Sequence, residues 1–309
     1  MLALRQALPP PLRSLGTLYA LAGVAMMLGP ANALQSQQLA QILQQGLQIP
    51  PLATGLAIAA LTYGVIVGGL PRIGRCSGWL LPLSCGIYAG ACLLVILSHA
   101  AALPAVVAEI LEQGLSPRAI TAGTLAASLS TGIRFAVLDS EAGMGTTATL
   151  LACGQPAHPF QQACIAMVLT VIDVLIGTGT ALVILLSGSH RLHSSPIAVV
   201  NQAFAWGLGD SHGLLLLVAV AFAFTTITAY AYFGERCLDA LTGGKGQQPY
   251  RLIWIAVVVL GSVGPLDAIW RSSDLLDALI TLPNLVGLVV LSNRIFADTR
   301  SLSSTQREA

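Results

Sequence analysis

An aspartate inside an apolar segment is the first residue of this sequence that could do chemistry. Asp173 lies in the run VLTVIDVLIGTGTALVILL, which contains no other ionisable residue. A charge at the bilayer centre costs roughly 2.5–3.5 kcal/mol on insertion scales, so such a side chain usually faces the protein interior. Two interpretations stay open: a site for a cation or a proton, or a carboxyl group that hydrogen-bonds a neighbouring helix.

Two adjacent threonines, Thr225 and Thr226, lie in another apolar run, AFAFTTITAY. Threonine hydroxyls in helices often donate to backbone carbonyls one turn earlier. They could instead present their oxygens to a sodium ion. On residue type alone, the bonds within the helix are the favoured interpretation.

A glycine-containing segment with acidic and hydroxyl neighbours follows Asp139. Such a segment breaks a helix and exposes polar backbone groups, which are tolerated at membrane depth only where protein or water covers them. It is predicted to be either a gate or binding break in a transport path, or an ordinary loop. The residues concerned are Ser140, Glu141, Gly143, Met144 and Gly145.

The elements that must position these residues are membrane spans. The chain has 309 residues, of which 55% are hydrophobic and 9% charged, and its mean hydropathy is +0.79. A soluble domain carries about 25% charged residues. Because so few charges cannot cover a water-facing surface, lipid must surround most of the protein. We therefore predict an all-α polytopic membrane protein with a single transmembrane domain, residues 1–309, and a disordered cytoplasmic tail, residues 299–309.

Apolar runs long enough to cross about 30 Å of hydrocarbon predict eight spans. Arginine and lysine cluster before the first, between the second and third, between the sixth and seventh, and after the eighth, which predicts that both termini are cytoplasmic. Two amphipathic segments, 35–48 and 104–115, are predicted to be surface helices, the first of them extending span one. The spans are 14–34, 52–70, 79–98, 120–138, 163–186, 213–233, 253–270 and 273–292.

The N-terminal segment has a second interpretation. Arg5 and Arg13 precede an apolar run, and Ala31-Asn32-Ala33 is similar to a signal-peptidase site, so a cleaved signal peptide is an alternative to the first span.

A series of motifs, in order along residues 15–295, resembles the sodium:alanine symporter family. The sequence SEAGMG at 140–145 is similar to the family's SNEAGMG, and FAFTT at 222–226 with YFGE at 232–235 is similar to FAFST and YYGE. Further similarities lie in IPP at 49–51, HP at 158–159, TALVIL at 180–185 and PN at 283–284.

The resemblance implies a leucine-transporter-like inverted-repeat fold and sodium-coupled symport of alanine or glycine across the cell inner membrane, with Na⁺ as the coupling ion. The match begins at the family's fourth span, so a partial fold lacking the first core helices is expected. The stretch 123–128 resembles the unwound part of the core's sixth helix. Implied substrate residues are Gln35, Gly123, Thr124, Ser128 and Trp270, and the implied sodium residues are Thr225 and Thr226.

Departures from the family pattern leave two functional hypotheses. Thr124 replaces an aromatic residue, Ala126 a glycine and Ser140 an asparagine. The chain could be a symporter that is shortened at its front, with transport impaired by that loss. Alternatively, it is a non-transporting remnant, a sensor, or a subunit of a split transporter whose partner supplies the missing helices. An intramembrane enzyme is not supported, because the sequence has no paired acids, His/Cys cluster or nucleophile–base spacing.

Overall fold

The computed structural model describes residues 2–114, 116, 124–152, 154, 159–192 and 194–305, which form helices and turns without a strand. Short 3₁₀ and π segments connect some of the helices. The α-helices, in chain order, are α1 (Leu2–Ala7), α2 (Ser14–Met26), α3 (Asn32–Leu47), α4 (Pro51–Ile66), α5 (Gly69–Ser98), α6 (Leu103–Gly114), α7 (Thr124–Ser140), α8 (Thr146–Leu151), α9 (Pro159–Ser187), α10 (Pro196–Leu208), α11 (His212–Thr242), α12 (Gln247–Val263) and α13 (Leu266–Thr305).

The first long helical path is bent where α2 meets α3. A π-helical turn, Met27–Ala31, joins them, and Gly29 has non-helical dihedral angles of φ −101° and ψ −109°. Pro30 follows it and has no N–H for the helical ladder, which explains the kink. The path then continues through α3, so the helix extends past the first predicted span, as the amphipathic segment 35–48 predicted.

The described helices pack around two cores. The larger core joins α2, α3, α4, α11, α12 and α13, and Tyr19, Phe233 and Trp254 are its largest fully buried side chains. The smaller core joins α5, α9, α10 and α11 around Val95 and Phe204. α11 belongs to both cores and therefore connects them.

Buried polar side chains of α3 fix its position against α12. Asn32 Nδ2 donates to the Trp254 carbonyl over 3.0 Å, and Gln37 Nε2 donates to the Gly264 carbonyl over 2.8 Å. Hydrogen bonds of this kind hold helices together in lipid, where the unpaired groups would have no water to bind.

Five stretches of the described residues are long and apolar enough to cross a membrane by length and composition. A shorter apolar helix, Pro51–Ile66, corresponds to the predicted second span. The predicted number of eight therefore stays a prediction, and segment 120–138 lies partly outside the described residues. The five stretches are Pro10–Leu47, Gly69–Ser98, Phe160–Ser187, His212–Thr242 and Arg271–Arg294.

Two predicted boundaries were wrong. The sequence predicts that the seventh span ends at residue 270 and the eighth begins at residue 273. In the structure the helix breaks earlier, between Val263 and Leu266. Pro265 lies in this break and Gly264 before it is extended, with φ −76° and ψ 162°, as residues before proline usually are. α5 begins at Gly69, ten residues before the predicted third span, so Arg72 lies in its first turn.

The last helix also differs from the sequence prediction. α13 continues to Thr305, so residues 299–305 are helical, although the sequence predicts a disordered tail over 299–309. Residues 306–309 lie outside the part of the chain that the structure describes.

We expect Gly261→Ala to destabilise the crossing of α3 and α12. A Cβ at Gly261 would lie 2.6 Å from the Ala33 Cα and 2.5 Å from the Ser36 Oγ, so backbone must shift. The cost should be about 2 kcal/mol, measured by thermal unfolding in detergent. Gly64→Ala is the matched control, because its Cβ would meet nothing within 4 Å. An equal effect of both substitutions would contradict the close approach.

Candidate transport site

A cavity of about 1090 Å³ lies between the helices of the bundle. Its walls come from α2, α3, α5, α7, α8, α9, α11 and α13, together with the turn between α7 and α8. Apolar side chains line much of it, as is usual for binding cavities, and the polar groups are few enough to orient a ligand. The polar lining residues are Gln35, Gln38, Asp139, Ser140, Glu141, Thr146, Thr147, Thr170, Asp173, Thr226, Tyr230, Ser273 and Asp277.

This cavity brings together predicted site residues that are far apart in the sequence. Several of the residues singled out by their chemistry or by resemblance contribute to its wall, although they come from four different parts of the chain. Packing of α3, α9 and α11 around the turn after α7 is what places them there. They are Gln35, Ser140, Glu141, Met144, Asp173 and Thr226.

Other predicted substrate residues are not placed in the cavity. Ser128 is exposed on α7 and does not line it. Gly123 and the side chains of Thr124 and Trp270 lie outside what the structure describes. Residues 124–128 form the first turns of α7 rather than an unwound segment, so that expectation was wrong for the part that the structure describes.

The threonine pair divides between two environments. Thr225 is buried, and its hydroxyl donates to the Ala221 and Phe222 carbonyls over 3.0 and 2.9 Å. This is the bonding within the helix that residue type alone favoured. Thr226 instead lines the cavity, because successive residues of a helix point about 100° apart.

The segment after α7 leaves the helical conformation. α7 ends at Ser140 and α8 begins at Thr146, and Glu141, Gly143 and Gly145 have φ angles of 50°, 81° and 79°. The freed backbone groups need other partners. One of them is found on α13, where Asn284 Nδ2 donates to the Gly143 carbonyl over 2.8 Å.

Glu141 is fixed by hydroxyl groups of two helices. Tyr230 of α11 donates to Oε1 over 2.9 Å, Thr146 donates to Oε2, and Thr147 lies 3.5 Å from the same oxygen. Hydrogen bonds to an ionised carboxylate are stronger than those between neutral groups. Glu141 therefore ties the turn after α7 to α8 and to α11.

The charge in the cavity is negative. Four carboxyl groups line it, those of Asp139, Glu141, Asp173 and Asp277, and the described lining contains no Lys, Arg or His. A cleft lined by charge of one sign attracts cations and raises their local concentration.

A comparison with protein families decides what kind of protein carries this cavity. The model of the sodium:alanine symporter family matches residues 1–309. The chain belongs to the sodium:alanine symporter family. It is accordingly a multi-pass membrane protein of a transporter family, which agrees with its apolar helices.

Known proteins of similar sequence include other members of the sodium:alanine symporter family. An uncharacterized transporter of Haemophilus influenzae is 31% identical over 94% of this chain and 65% of its own length. The sodium/alanine symporter AgcS of Methanococcus maripaludis is 27% identical, over 95% and 66% respectively. The probable sodium/glutamine symporter GlnT of Bacillus subtilis is 28% identical over 86% of this chain and 56% of its own. The chain thus spans between 56% and 66% of the length of these relatives.

Sequence reasoning missed several polar residues of this symporter-family cavity. Tyr230 and Thr146 could not be found from the sequence, because only the fold places them beside Glu141. Asp277 did give a signal, since it is an acid within the predicted span 273–292 and meets the criterion that singled out Asp173.

Proposed function

We propose that this chain carries out sodium-coupled symport of a small neutral amino acid, alanine or glycine, across the cytoplasmic membrane. The observation that carries the proposal is the acid-lined cavity, which combines Gln35, Thr226 and the turn after α7. Carboxylate and hydroxyl oxygens suit a hard cation such as Na⁺. The family, together with relatives such as the sodium/alanine symporter AgcS, suggests the coupling ion and the substrate class.

Non-helical backbone beside the cavity supports the binding of an amino acid. Transporters commonly bind zwitterionic substrates where a helix is interrupted, because free backbone groups can meet both charged ends of the molecule. In this chain the interruption runs from Glu141 to Gly145, and Met144 lines the cavity between the two glycines. We assign this segment the role of a gate whose position depends on the bonds of Glu141.

Coupling would follow from a difference in affinity between two conformations. A ligand shifts a conformational equilibrium only as far as it binds one state more tightly than the other. Na⁺ entering the acid-lined cavity lowers the repulsion among Asp139, Glu141 and Asp173, and so stabilises the state that has this cavity. The amino acid then completes closure of the gate.

Two polar contacts support a topology with both termini on the cytoplasmic side. Arg5 donates to the Ala240 carbonyl over 2.6 Å, which brings the N-terminus to the end of α11. Arg191 pairs with Glu109 over 2.8 Å, which brings the α6 region to the loop after α9. Each contact joins segments that the arginine and lysine distribution assigns to one side, cytoplasmic for the first and external for the second.

Uptake into membrane vesicles containing the chain tests the proposal. An inward Na⁺ gradient should drive accumulation of labelled alanine, and replacement of Na⁺ by choline should abolish it. Thr226→Ala should raise the half-saturating Na⁺ concentration about tenfold, because it removes an oxygen from the cavity wall. Thr225→Ala is the matched control and should change it less than about twofold, since that hydroxyl is bonded within its helix.

Two results would contradict the proposal. Vesicles with the chain that accumulate no more alanine or glycine than empty vesicles would show that it does not transport them. Uptake that is equally fast in Na⁺ and in choline would remove sodium as the coupling ion.

A further inference from the structure

A buried carboxyl group on α13 has an oxygen without a partner. Asp277 is 7% exposed, and its Oδ2 accepts a hydrogen bond from the Ser273 hydroxyl over 3.0 Å. Its Oδ1 is buried and has no hydrogen-bond partner among the described residues. The side chain lines the cavity. Burying an ionised oxygen without a partner is costly, so the carboxyl group needs either a counter-charge or a proton.

Among the described residues, the protein groups around Asp277 do not supply a free counter-charge. Glu141 and Asp274 lie within electrostatic range and carry the same charge sign. Arg134 is the cation in range, but it already forms an ion pair with Asp274, and both of those side chains are about half exposed. Arg134 also does not line the cavity. A mobile cation is the group that could complete the site.

Further oxygen atoms suited to a hard cation lie near Asp277. Ser273 is bonded to Asp277, and Tyr230 lies within electrostatic range of Asp277 and donates to Glu141. All four of these residues line the cavity. Hydroxyl and carboxylate oxygens are the ligands that alkali and alkaline-earth cations prefer over nitrogen or sulfur.

We propose that Asp277 is the charged ligand of a sodium site on α13, with Ser273 as its neighbouring hydroxyl, distinct from the threonine position on α11. This inference rests on the proposed sodium coupling and adds to it a sodium ligand on α13, where the resemblance implied no sodium residue. It explains why a carboxyl group lies buried with one oxygen unpaired. A cation bound there also neutralises part of the negative charge of the cavity.

Sodium binding to the purified full chain in detergent tests this site without requiring transport. The midpoint of thermal unfolding is measured against Na⁺ concentration, with choline holding the ionic strength constant and no amino acid present. Asp277→Asn keeps the shape of the side chain and removes its charge, so the half-saturating Na⁺ concentration should rise about tenfold or more. Glu109→Gln is the control, because that carboxyl group pairs with Arg191 and does not line the cavity, and it should leave the half-saturating Na⁺ concentration unchanged.

A second variant keeps the test decisive if Asp277→Asn does not fold. Ser273→Ala removes the hydroxyl that bonds Oδ2 and should raise the half-saturating Na⁺ concentration about threefold. Unchanged sodium dependence in a folded Asp277→Asn variant, or in Ser273→Ala when the first does not fold, overturns the site.

The remaining outcomes separate this site from the proposed function. If the unsubstituted chain shows sodium-driven uptake while Asp277→Asn keeps normal sodium dependence, the symport proposal stands and the α13 site is wrong. If Na⁺ changes neither the thermal unfolding of the unsubstituted chain nor its rate of uptake, the symport proposal and the α13 site are both wrong. If stability follows pH instead of Na⁺, and Asp277→Asn loses that response, the carboxyl group binds a proton and the sodium assignment is overturned.

Discussion

Glu141→Ala should lower the initial rate of sodium-driven alanine uptake about hundredfold. The carboxylate accepts hydrogen bonds from Tyr230 and Thr146, which come from different helices. Each hydrogen bond to a charged group is worth about 1.5 kcal/mol or more, so losing both removes about 3 kcal/mol. If those bonds hold the turn after α7 in the state that binds substrate, that loss corresponds to about a hundredfold change in rate.

Three companion variants show whether the bonds or merely the acidic charge matter. Glu141→Gln keeps the shape but gives one of the two positions a donor that faces a hydroxyl, and we expect an intermediate loss. Tyr230→Phe removes a single bond and should lower uptake about tenfold. Glu109→Ala removes an exposed pair with Arg191 and should have no effect. Uptake by Glu141→Ala at the unsubstituted rate, in protein of equal abundance, would rule out this role.

The elements beside Glu141 could be predicted because the controlling signals are local. Glycines at 143 and 145 permit positive φ angles, and in the structure these angles are 81° and 79°. The apolar runs around Asp173 and Thr225 are each longer than a bilayer requires, so the corresponding helices follow from length and composition alone.

Helix boundaries set by longer-range packing could not be predicted in the same way. The break carries a local signal in Gly264-Pro265, but the apolar residues on both sides keep the average hydropathy high, so a span placed by hydropathy continues past it. Similarly, the Arg72 guanidinium donates to the Gly64 carbonyl over 2.6 Å, which lets a charged residue lie in the first turn of α5. A hydropathy average assigns that arginine to a loop, because it takes no account of the carbonyl group that accepts the arginine's hydrogen bond.

The residue types of the candidate site could be predicted from the sequence, but the hydrogen-bond partners of those residues could not. An acid in an apolar run signals a polar interior, and both Asp173 and Asp277 line the cavity. What distinguishes them is exposure and bonding: Asp173 is exposed, whereas Asp277 is buried with one unpaired oxygen. The same applies to the threonine pair, whose division between helix backbone and cavity depends on how α11 is rotated against its neighbours.

Gly145→Ala should destabilise the protein by about 3 kcal/mol and abolish uptake. The φ angle of Gly145 is +79°, which costs a residue with a Cβ about 1–2 kcal/mol. The added Cβ would also lie 2.6 Å from Asn284 Oδ1 and 3.0 Å from the Tyr19 hydroxyl. Asn284 cannot swing away freely, because its Nδ2 donates to the Gly143 carbonyl. Relieving the clash therefore breaks the bond that attaches the turn to α13.

Gly188→Ala separates these two causes. Its φ is +70°, close to that of Gly145, but a Cβ there would meet nothing within 4 Å. It should therefore cost only the backbone strain, about 1 kcal/mol, and leave uptake intact. Thermal unfolding in detergent and uptake in vesicles measure both effects. A Gly145→Ala variant no less stable than Gly188→Ala would mean that the turn has room to relax, and that its contact with Asn284 does not hold it against α13.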